Sequence, residues 1–525
     1  MRCLSVLSVL VLTCDAFKYL VYIPVFGKSH ITFMGKIVDV LVDGGHEVHV
    51  IAPVIESYLG GYGSTKAHKV FHVPPNEAAQ RFENTTGSEF ASNLWRKSDM
   101  ITMLKEAEKF VDAWLGECNA TLHHPGLLDE LRKENYDAAI SEAMDMCGFG
   151  IFEHIGLKSV AAALSVGHME WSFLLAGVPS MFSYVPGVMM STSEQMTFLE
   201  RVTNVFPIIG RPMMHSMILV PYEKLFRATL SSDFPDLESL MRKTSLVILN
   251  AEPLIDFPHL TSHKVIDVGG ISVSSGHKPL DKKWSDILDK RPKNVLISFG
   301  TVAKSYLMPQ EYKDNIRATV RKFPNITFIW KYEKPEDGMS EGIDNLVETT
   351  FAPQNDLLYD PRLSLFLTHC GQGSTSESTT AGIPLIVIPI LGDQFRNSAV
   401  IRRIGSGVVL KREDLGNSDV LESALKEVLS NPEYARKARI TGEMIRNRPF
   451  SPKDLFLRNM EFLAQFGPLT KQFEHYAHNL NFFQYYLIDV FAFIAFSVLG
   501  ILAIVFFSLT FVIRHFPIVW KLKAE

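Results

Sequence analysis

The chain has 525 residues, of which 52 are Lys or Arg and 57 are Asp or Glu, so its formal net charge is −5. At about 150 residues per domain, this length predicts two or three folded units. A hydrophobic fraction of 47% and a charged fraction of 21% exclude a disordered or collagen-like chain. The slight negative charge argues against a nucleic-acid-binding protein, because such proteins present a basic surface.

The chain begins with a short apolar segment that is typical of a secretory signal peptide. Residues 1–16 read MRCLSVLSVLVLTCDA, with a basic residue at position 2 and a small residue at position 16. The run is too short to span a bilayer and has the length and flanks of a cleaved leader. We therefore predict that residues 1–16 are a signal peptide and that the rest of the chain folds in the secretory pathway.

The predicted compartment bears on the cysteines and on N-glycosylation. Removal of the leader leaves Cys118, Cys147 and Cys370, and three cysteines do not make a disulfide framework. Three Asn-X-Thr sequons are candidates for lumenal glycosylation, at Asn84, Asn119 and Asn325.

Alternating strands and helices predict a parallel α/β domain over residues 17–271. Residues 19–23 form an apolar run, hydrophobic residues then recur at helical spacing from 31 to 42, and residues 47–52 form a second apolar run. A strand, a helix and a strand in this order make a βαβ unit. Four later runs predict further strands of the same domain, at 137–141, 159–163, 246–250 and 265–268.

A polar segment separates this domain from a second one. Residues 272–283 read SVSSGHKPLDKK, a composition that predicts a linker. The pattern after it predicts a second doubly wound α/β domain over residues 284–470, so that the strand ends of both domains would face one cleft. Its predicted strands lie at 294–298, 326–330, 364–368, 385–389 and 408–410, with a helix at 310–322.

The chain ends in a predicted transmembrane helix and a short basic tail. Residues 490–513 contain no charged side chain and would span about 36 Å as a helix. Basic residues follow in 514–525, so the positive-inside rule predicts a cytosolic tail and lumenal domains. Lys521 and Lys523 stand five and three positions from the C-terminus, which resembles a dilysine signal for retrieval to the endoplasmic reticulum.

Residues 351–397 carry the residues that best indicate a ligand. The strand that ends at Thr368 is followed by His369 and a glycine-containing turn that opens a helix. The exposed N–H groups at 373–375 would form an anion site, and His369 could donate a hydrogen bond to a phosphate. Glu377 lies one turn into the helix, where it could accept from sugar hydroxyls. Asp393 and Gln394 follow the next strand, again at the mouth of the cleft.

This block resembles the signature of the UDP-glycosyltransferase family, in particular its membrane-bound animal UDP-glucuronosyltransferase branch. The resemblance extends over nearly the whole chain. It implies two Rossmann-like domains that face a cleft, the GT-B arrangement, with a UDP-sugar as co-substrate and no cofactor. No metal is implied, and no Cys/His cluster has the spacing of metal ligands.

The resemblance also assigns a donor-binding site. Phe351 stands where the family has a tryptophan that stacks on uracil, and Gly373 stands where it has an asparagine. The phenyl ring keeps a π-face of smaller area. The donor-binding residues implied by the resemblance are Ser298, Phe351, Gln354, His369, Gly373, Ser374, Glu377, Asp393 and Gln394.

The catalytic residues implied by the resemblance lie in the first domain. His30 follows the first strand at the position of the family's general base, which takes a proton from the acceptor hydroxyl. Glu142 replaces the family's aspartate partner and keeps a carboxylate that can orient the imidazole. Asp145 is the alternative carboxylate. A single attack of this kind inverts the anomeric centre.

Three questions stay open at this point. The family name implies UDP-glucuronate as donor, but UDP-glucose is an alternative because the sequence supplies no clear arginine for the glucuronate carboxylate. The departures at Glu142, Phe351 and Gly373 leave open a catalytically weak family member that acts as a binding or regulatory partner. The acceptor is expected to be a small lipophilic alcohol, phenol or acid, and a homo- or hetero-oligomer stays open.

Overall fold

The computed structural model describes residues 16–96, 100–273 and 278–515. They belong to two compact units, one that ends at Phe473 and one that begins at Glu474. Part of the predicted features lies outside the described residues: the signal peptide up to residue 15, linker residues 274–277, and the tail from residue 516 with Lys521 and Lys523.

The first sheet has seven parallel strands, β1 to β7, in the spatial order β3-β2-β1-β4-β5-β6-β7. In chain order they are β1 (Lys18–Tyr22), β2 (Glu47–Pro53), β3 (Lys69–Val73), β4 (Ala138–Glu142), β5 (Val160–Leu164), β6 (Leu246–Leu249) and β7 (Val265–Asp267). Successive side chains of a strand point to opposite faces. Leu20 and Tyr22 therefore join one core cluster, and Tyr19 and Val21 join the other.

Twelve α-helices precede or follow these strands within the described part of residues 16–273. They are α1 (Lys28–Asp43), α2 (Glu77–Arg81), α3 (Gly87–Asn93), α4 (Met100–Leu122), α5 (Leu127–Lys133), α6 (Cys147–His154), α7 (Glu170–Leu175), α8 (Phe198–Asn204), α9 (Phe206–Ile209), α10 (Arg211–Met214), α11 (Val220–Thr229) and α12 (Leu237–Arg242). Cys118 of α4 and Cys147 of α6 form a disulfide, while Cys370 is free and buried. The three cysteines thus supply one bridge rather than a framework.

The second sheet has six parallel strands in the spatial order β10-β9-β8-β11-β12-β13. In chain order they are β8 (Lys293–Ser298), β9 (Ile326–Lys331), β10 (Leu346–Thr349), β11 (Leu363–Thr368), β12 (Leu385–Val387) and β13 (Gly407–Val409). The accompanying helices are α13 (Lys282–Leu288), α14 (Gln310–Arg321), α15 (Gln354–Tyr359), α16 (Gln372–Ala381), α17 (Gln394–Ile404), α18 (Ser418–Ser430) and α19 (Pro432–Arg446). Two doubly wound α/β halves were predicted, and the fold class is confirmed.

Two helices that follow α19 return to the first sheet. They are α20 (Pro452–Phe466) and α21 (Thr470–Phe473). Phe456, Met460 and Leu463 of α20 are fully buried in the same core cluster as Tyr19 and Val21. The last residues of the predicted second domain therefore pack against the first sheet. The domain boundaries themselves stay predictions.

The second unit contains α22 (Phe482–Tyr485) and α23 (Ile488–His515). In the part of the chain that the structure describes, α23 is the helix that is long and apolar enough to cross a membrane. The predicted span, residues 490–513, lies within it. The 28-residue length of α23 suffices for the hydrocarbon core with some tilt.

Candidate active site

Both halves place their predicted site residues where the direction of strand winding reverses. In the first sheet this point lies between β1 and β4, and in the second between β8 and β11. Helices leave such neighbouring strands toward opposite faces, so a crevice opens at the carboxyl ends of the two strands. His30 follows β1 and Glu142 ends β4, while Ser298 ends β8 and His369 follows β11.

His30 is held by the turn that leads into α1. Gly27 has φ +54°, and a Cβ there would lie 2.9 Å from Cδ2 of the His30 ring. Phe26 packs against the same ring, with its ring centroid 4.4 Å from that of His30. The side chain of His30 is 14% exposed. The imidazole is therefore fixed by packing while part of it still reaches the cleft.

Two side chains lie near Nδ1 of this imidazole. Oγ of Ser165, the residue after β5, is 2.5 Å away, and Oε2 of Glu142 is 3.8 Å away. Neither carboxylate oxygen of the fully buried Glu142 has a hydrogen-bond partner among the described residues. The structure thus brings the predicted acid and His30 together, but the direct hydrogen bond of the imidazole runs to a serine.

Asp145, the alternative carboxylate, has a different environment. It accepts hydrogen bonds from the hydroxyls of Tyr22 and Tyr222, at 2.9 and 2.8 Å, and from the backbone N–H of Cys147. Burial raises the pKa of Asp145 to about 6. Its oxygens are occupied by donors that tie β1, α6 and α11 together, so its geometry indicates a structural role.

His369 lies in a narrow gap between two glycines. A Cβ at Gly300 would come within 2.6 Å of the His369 ring, and one at Gly371 within 2.8 Å. Gly300 has φ +80°, a conformation that glycine adopts without strain. Burial, with a smaller contribution from Lys331, lowers the pKa of His369 to about 4. At neutral pH the ring therefore offers an N–H group rather than a positive charge.

Three of the predicted donor-binding residues meet at the start of α15 and α16. Nε2 of Gln354 donates to Oε2 of Glu377 at 2.6 Å and to Oγ of Ser374 at 3.2 Å. Burial raises the pKa of Glu377. Phe351, three residues before Gln354, is 70% exposed. A flat ring beside a polar cluster suits a base and its ribose.

Asp393 and Gln394 lie at the start of α17. Oδ2 of Asp393 accepts from the backbone N–H of Gln372 at 3.0 Å and from Nδ2 of Asn397 at 2.8 Å. Burial raises the pKa of Asp393 to about 6, and the nearby charge of His30 opposes that shift. Gln394 turns its Oε1 inward onto the N–H groups of Ile390 and Leu391. The two predicted sugar contacts are therefore unequal: Asp393 accepts from the first residue of α16, whereas Gln394 bonds to the loop that precedes it.

Contacts between the two halves surround this cleft. Nε2 of Gln372 donates to the backbone carbonyl of Asn250 at 2.6 Å. Nearby, the buried Arg396 forms an ion pair with Asp256, with 2.7 Å between Nη2 and Oδ1. Sequence reasoning missed Ser165, Asn250 and Gln372. Ser165 and Asn250 stand in no motif, and their only signal was their position directly after a strand. Gln372 lies within the block 351–397, in the turn that opens a helix, but was not singled out there.

One cluster of metal-ligand type occurs elsewhere among the described residues. Carboxylate and imidazole atoms of Glu47, His49 and Glu134 lie within 4.8 Å of one another. Lys18 already pairs with both glutamates, and the cluster lies at the amino ends of β1 and β2, away from the cleft.

The three sequon residues Asn84, Asn119 and Asn325 are exposed, and their glycosylation stays a prediction.

Comparison with known proteins identifies the family. The sequence pattern of the family described as UDP-glucoronosyl and UDP-glucosyl transferase matches residues 19–521. The chain belongs to this family. It is 27% identical over 501 residues to ugt-48 of Caenorhabditis elegans, covering 93% of this chain and 94% of that protein. It is 26% identical to human UDP-glucuronosyltransferase 1A6, covering 91% and 88%.

The solved structures agree with this family assignment at the level of the fold. The glycotransferase of kitacinnamycin matches with a TM-score of 0.57 at 15% identity, covering 85% of this chain and 99% of that one. The resemblance predicted from residues 351–397 is thus confirmed. This UDP-glycosyltransferase family member is a glycosyltransferase enzyme that uses a UDP-sugar donor.

Proposed function

We propose that this protein is an inverting transferase in which His30 is the general base. Nε2 of His30 takes the proton from an acceptor hydroxyl as the oxygen attacks the anomeric carbon. The bond from that carbon to the diphosphate breaks on the opposite face and UDP leaves, so an α-linked donor yields a β-glycoside. The observation that carries the proposal is a set of hydrogen bonds across the cleft: Ser165, which contacts His30, is linked through Asn250 and Gln372 to Asp393 of the other half.

In the donor site that we propose, different residues at the carboxyl ends of the second sheet bind different parts of the UDP-sugar. Backbone N–H groups at the start of α16, with Ser298, Ser374 and His369, would hold the diphosphate. Phe351, Gln354 and Glu377 would hold the uracil and ribose, and Asp393 the hydroxyls of the transferred sugar. The neutral state of His369 supports a hydrogen bond to phosphate rather than an ion pair.

The experiment that tests the base measures turnover and UDP affinity together. We expect His30→Ala to abolish sugar transfer while the Kd for UDP stays within about twofold of the wild type. His72→Ala, which removes an exposed histidine on the edge strand β3, serves as the matched control. Full turnover by His30→Ala would contradict the proposal. Absence of turnover in the wild type with many donors and acceptors, with UDP still bound, would favour a binding or regulatory partner instead.

Glucuronic acid is the donor sugar that the names of the relatives indicate, and we propose it first. UDP-glucose is the second candidate, and a specific observation favours it. Arg396, the cation closest in sequence to Asp393 and Gln394, is 3% exposed and already paired with Asp256. It is therefore committed to another carboxylate. Incubation with each donor and 4-nitrophenol, followed by mass analysis of the product, distinguishes the two: a hexose adduct alone would exclude glucuronyl transfer.

We further propose that α23 anchors the protein in the endoplasmic reticulum membrane as a type I protein, with both α/β halves in the lumen and small lipophilic acceptors arriving from the bilayer. The apolar composition of α23 and the basic residues that follow it support this orientation. In sealed microsomes we expect protease to remove only the tail until detergent is added. Digestion of the α/β halves without detergent would contradict this topology.

A further inference from the structure

The imidazole of His30 has a hydrogen-bond partner that no motif contains. Its Nδ1 lies 2.5 Å from Oγ of Ser165, well inside hydrogen-bond distance, whereas Oε2 of Glu142 is 3.8 Å away. Ser165 is 3% exposed, so bulk water does not compete for this contact. The group that directly contacts the ring nitrogen is therefore the Ser165 hydroxyl. The Glu142 carboxylate influences the imidazole only by its electrostatic field.

The direction of this hydrogen bond decides whether His30 can accept a proton. A neutral imidazole carries its hydrogen on one nitrogen only, and the other nitrogen holds the lone pair. If Nδ1–H donates to Oγ of Ser165, the lone pair is on Nε2, where an acceptor hydroxyl can use it. The negative charge of Glu142, within 4 Å of the same Nδ1, favours the hydrogen on that nitrogen and stabilises the imidazolium.

Ser165 is held by Asn250 of its own half, and Asn250 is in turn bound by Gln372 of the other half. Nδ2 of Asn250 donates to the backbone carbonyl of Ser165 at 2.8 Å, and the carbonyl of Asn250 accepts from Gln372 at 2.6 Å. The backbone N–H of Gln372 donates in turn to Asp393 at 3.0 Å. A continuous set of hydrogen bonds thus links the proposed donor-sugar carboxylate to the residue that contacts the base.

We propose that Ser165 is a positioning residue for His30. Its hydroxyl oxygen accepts the Nδ1 hydrogen and keeps the Nε2 lone pair aimed into the cleft, and it provides the contact that Glu142 does not make directly. This inference rests on the proposed role of His30 as the base. Ser165 acts through His30 and does not itself contact the reacting atoms.

The test compares two serine substitutions of equal size. We expect Ser165→Ala to lower kcat about tenfold, the scale of one lost hydrogen bond to a group that becomes charged, while the KM for UDP-glucose or UDP-glucuronate and the Kd for UDP stay unchanged. Ser172→Ala removes another buried hydroxyl, on α7, that has no hydrogen-bond partner among the described residues, and should leave kcat unchanged. A Ser165→Ala enzyme with the kcat of Ser172→Ala would overturn the inference.

A third variant separates the hydroxyl from the volume of the side chain. Ser165→Cys fills the same space with a weak acceptor, so we expect a kcat as low as that of Ser165→Ala. If Ser165→Cys has wild-type kcat, packing explains the loss and the inference is wrong. If His30→Ala is inactive but Ser165→Ala has a normal kcat, only the inference about Ser165 is wrong. If His30→Ala itself keeps normal turnover, the proposed function, on which the inference rests, is wrong.

Discussion

At the scale of single residues, Asp393 is a buried carboxylate at a position that we propose to hold the transferred sugar. Burial raises the pKa of its carboxyl to about 6, above the ordinary value of 3.8. A raised carboxyl pKa means that the folded state binds a proton more tightly than the unfolded state, so stability falls as pH rises from about 4 to 6. Well above pH 6 the carboxylate is fully ionised, and its burial lowers the free energy of unfolding by its full amount.

We expect Asp393→Asn to stabilise the protein at neutral pH and to impair catalysis. The amide oxygen can still accept from Gln372 and Asn397, but no charge is buried. The gain should grow from pH 4 to 6 and reach up to about 3 kcal/mol at pH 7, because two pKa units correspond to nearly that amount. Thermal melting across this pH range and the kcat at pH 7 check it. A stability difference that does not depend on pH would contradict this assignment.

Gly373 offers a second residue-scale prediction. A Cβ at this position meets no atom within 4 Å, so the glycine is not required by packing. We expect Gly373→Asn, which restores the amide that the family resemblance places there, to lower the KM for the UDP-sugar about threefold to tenfold by adding one hydrogen bond near the diphosphate. Steady-state kinetics measure this, with Gly373→Ala as control. An equal effect of alanine would show that the amide is not responsible.

At the scale of elements, α20 is the part of the chain that departs most from the predicted organisation. It follows the second α/β half in sequence but contributes to the core of the first sheet. Its entry residue Ser451 caps the helix by accepting from the N–H of Lys453. The apolar stripe of an amphipathic helix predicts that the helix packs against a sheet. It does not predict which of the two sheets the helix covers.

We therefore expect Phe456→Ala to destabilise the protein by about 3–5 kcal/mol, because a fully buried phenyl group leaves a cavity against the first sheet. Phe462 lies on the same helix and is 50% exposed, so Phe462→Ala should cost about 0.5 kcal/mol or less. Chemical denaturation of the detergent-solubilised protein compares the two. Similar losses of stability in the two variants would mean that the buried face of α20 does not stabilise the first sheet.

The strands show why some elements were predictable. β1, β4, β8 and β11 lie inside their sheets with helices on both faces, so each contains at least three consecutive apolar residues. β3 (KVFHV) and β10 (LVET) are edge strands with partly exposed and polar side chains, and neither was predicted. Most side chains of β3 and β10 are only partly buried, so these two strands do not need an apolar run, whereas the other edge strands, β7 and β13, were predicted.

At the scale of the whole molecule, a buried ion pair connects the two α/β halves in addition to the covalent chain. Arg396 of α17 pairs with Asp256, its guanidinium lies 5.1 Å from the ring centroid of Phe257, and it also donates to the carbonyl of Pro186. This guanidinium is 3% exposed, and its ion-pair partner and its carbonyl acceptor both belong to the other half, so it joins the two halves beside the cleft.

Removal of one partner of this ion pair should be costly. We expect Arg396→Ala to lower stability by about 3–5 kcal/mol, because it leaves Asp256 enclosed without its counter-charge. The double variant with Asp256→Asn should recover part of that loss, and Arg403→Ala, at a more exposed ion pair with Glu194, should cost about 1 kcal/mol or less. Melting of the wild type, Arg396→Ala, Asp256→Asn and the double variant gives the coupling energy. Additive losses would contradict a direct interaction.

The sequence by itself determined the local features of this protein: the buried strands, the glycine turns and helix starts that follow them, the apolar C-terminal helix and the motif residues from Phe351 to Gln394. These follow from hydrophobic periodicity and turn chemistry, which act over a few neighbouring residues. The strand order, the position of α20 and the contacts of Ser165 with His30 and of Asn250 with Gln372 were decided only by the tertiary structure. The contact of Ser165 with His30 joins residues 135 positions apart, and that of Asn250 with Gln372 joins residues 122 positions apart. No short-range pattern encodes which distant partners close packing will bring together.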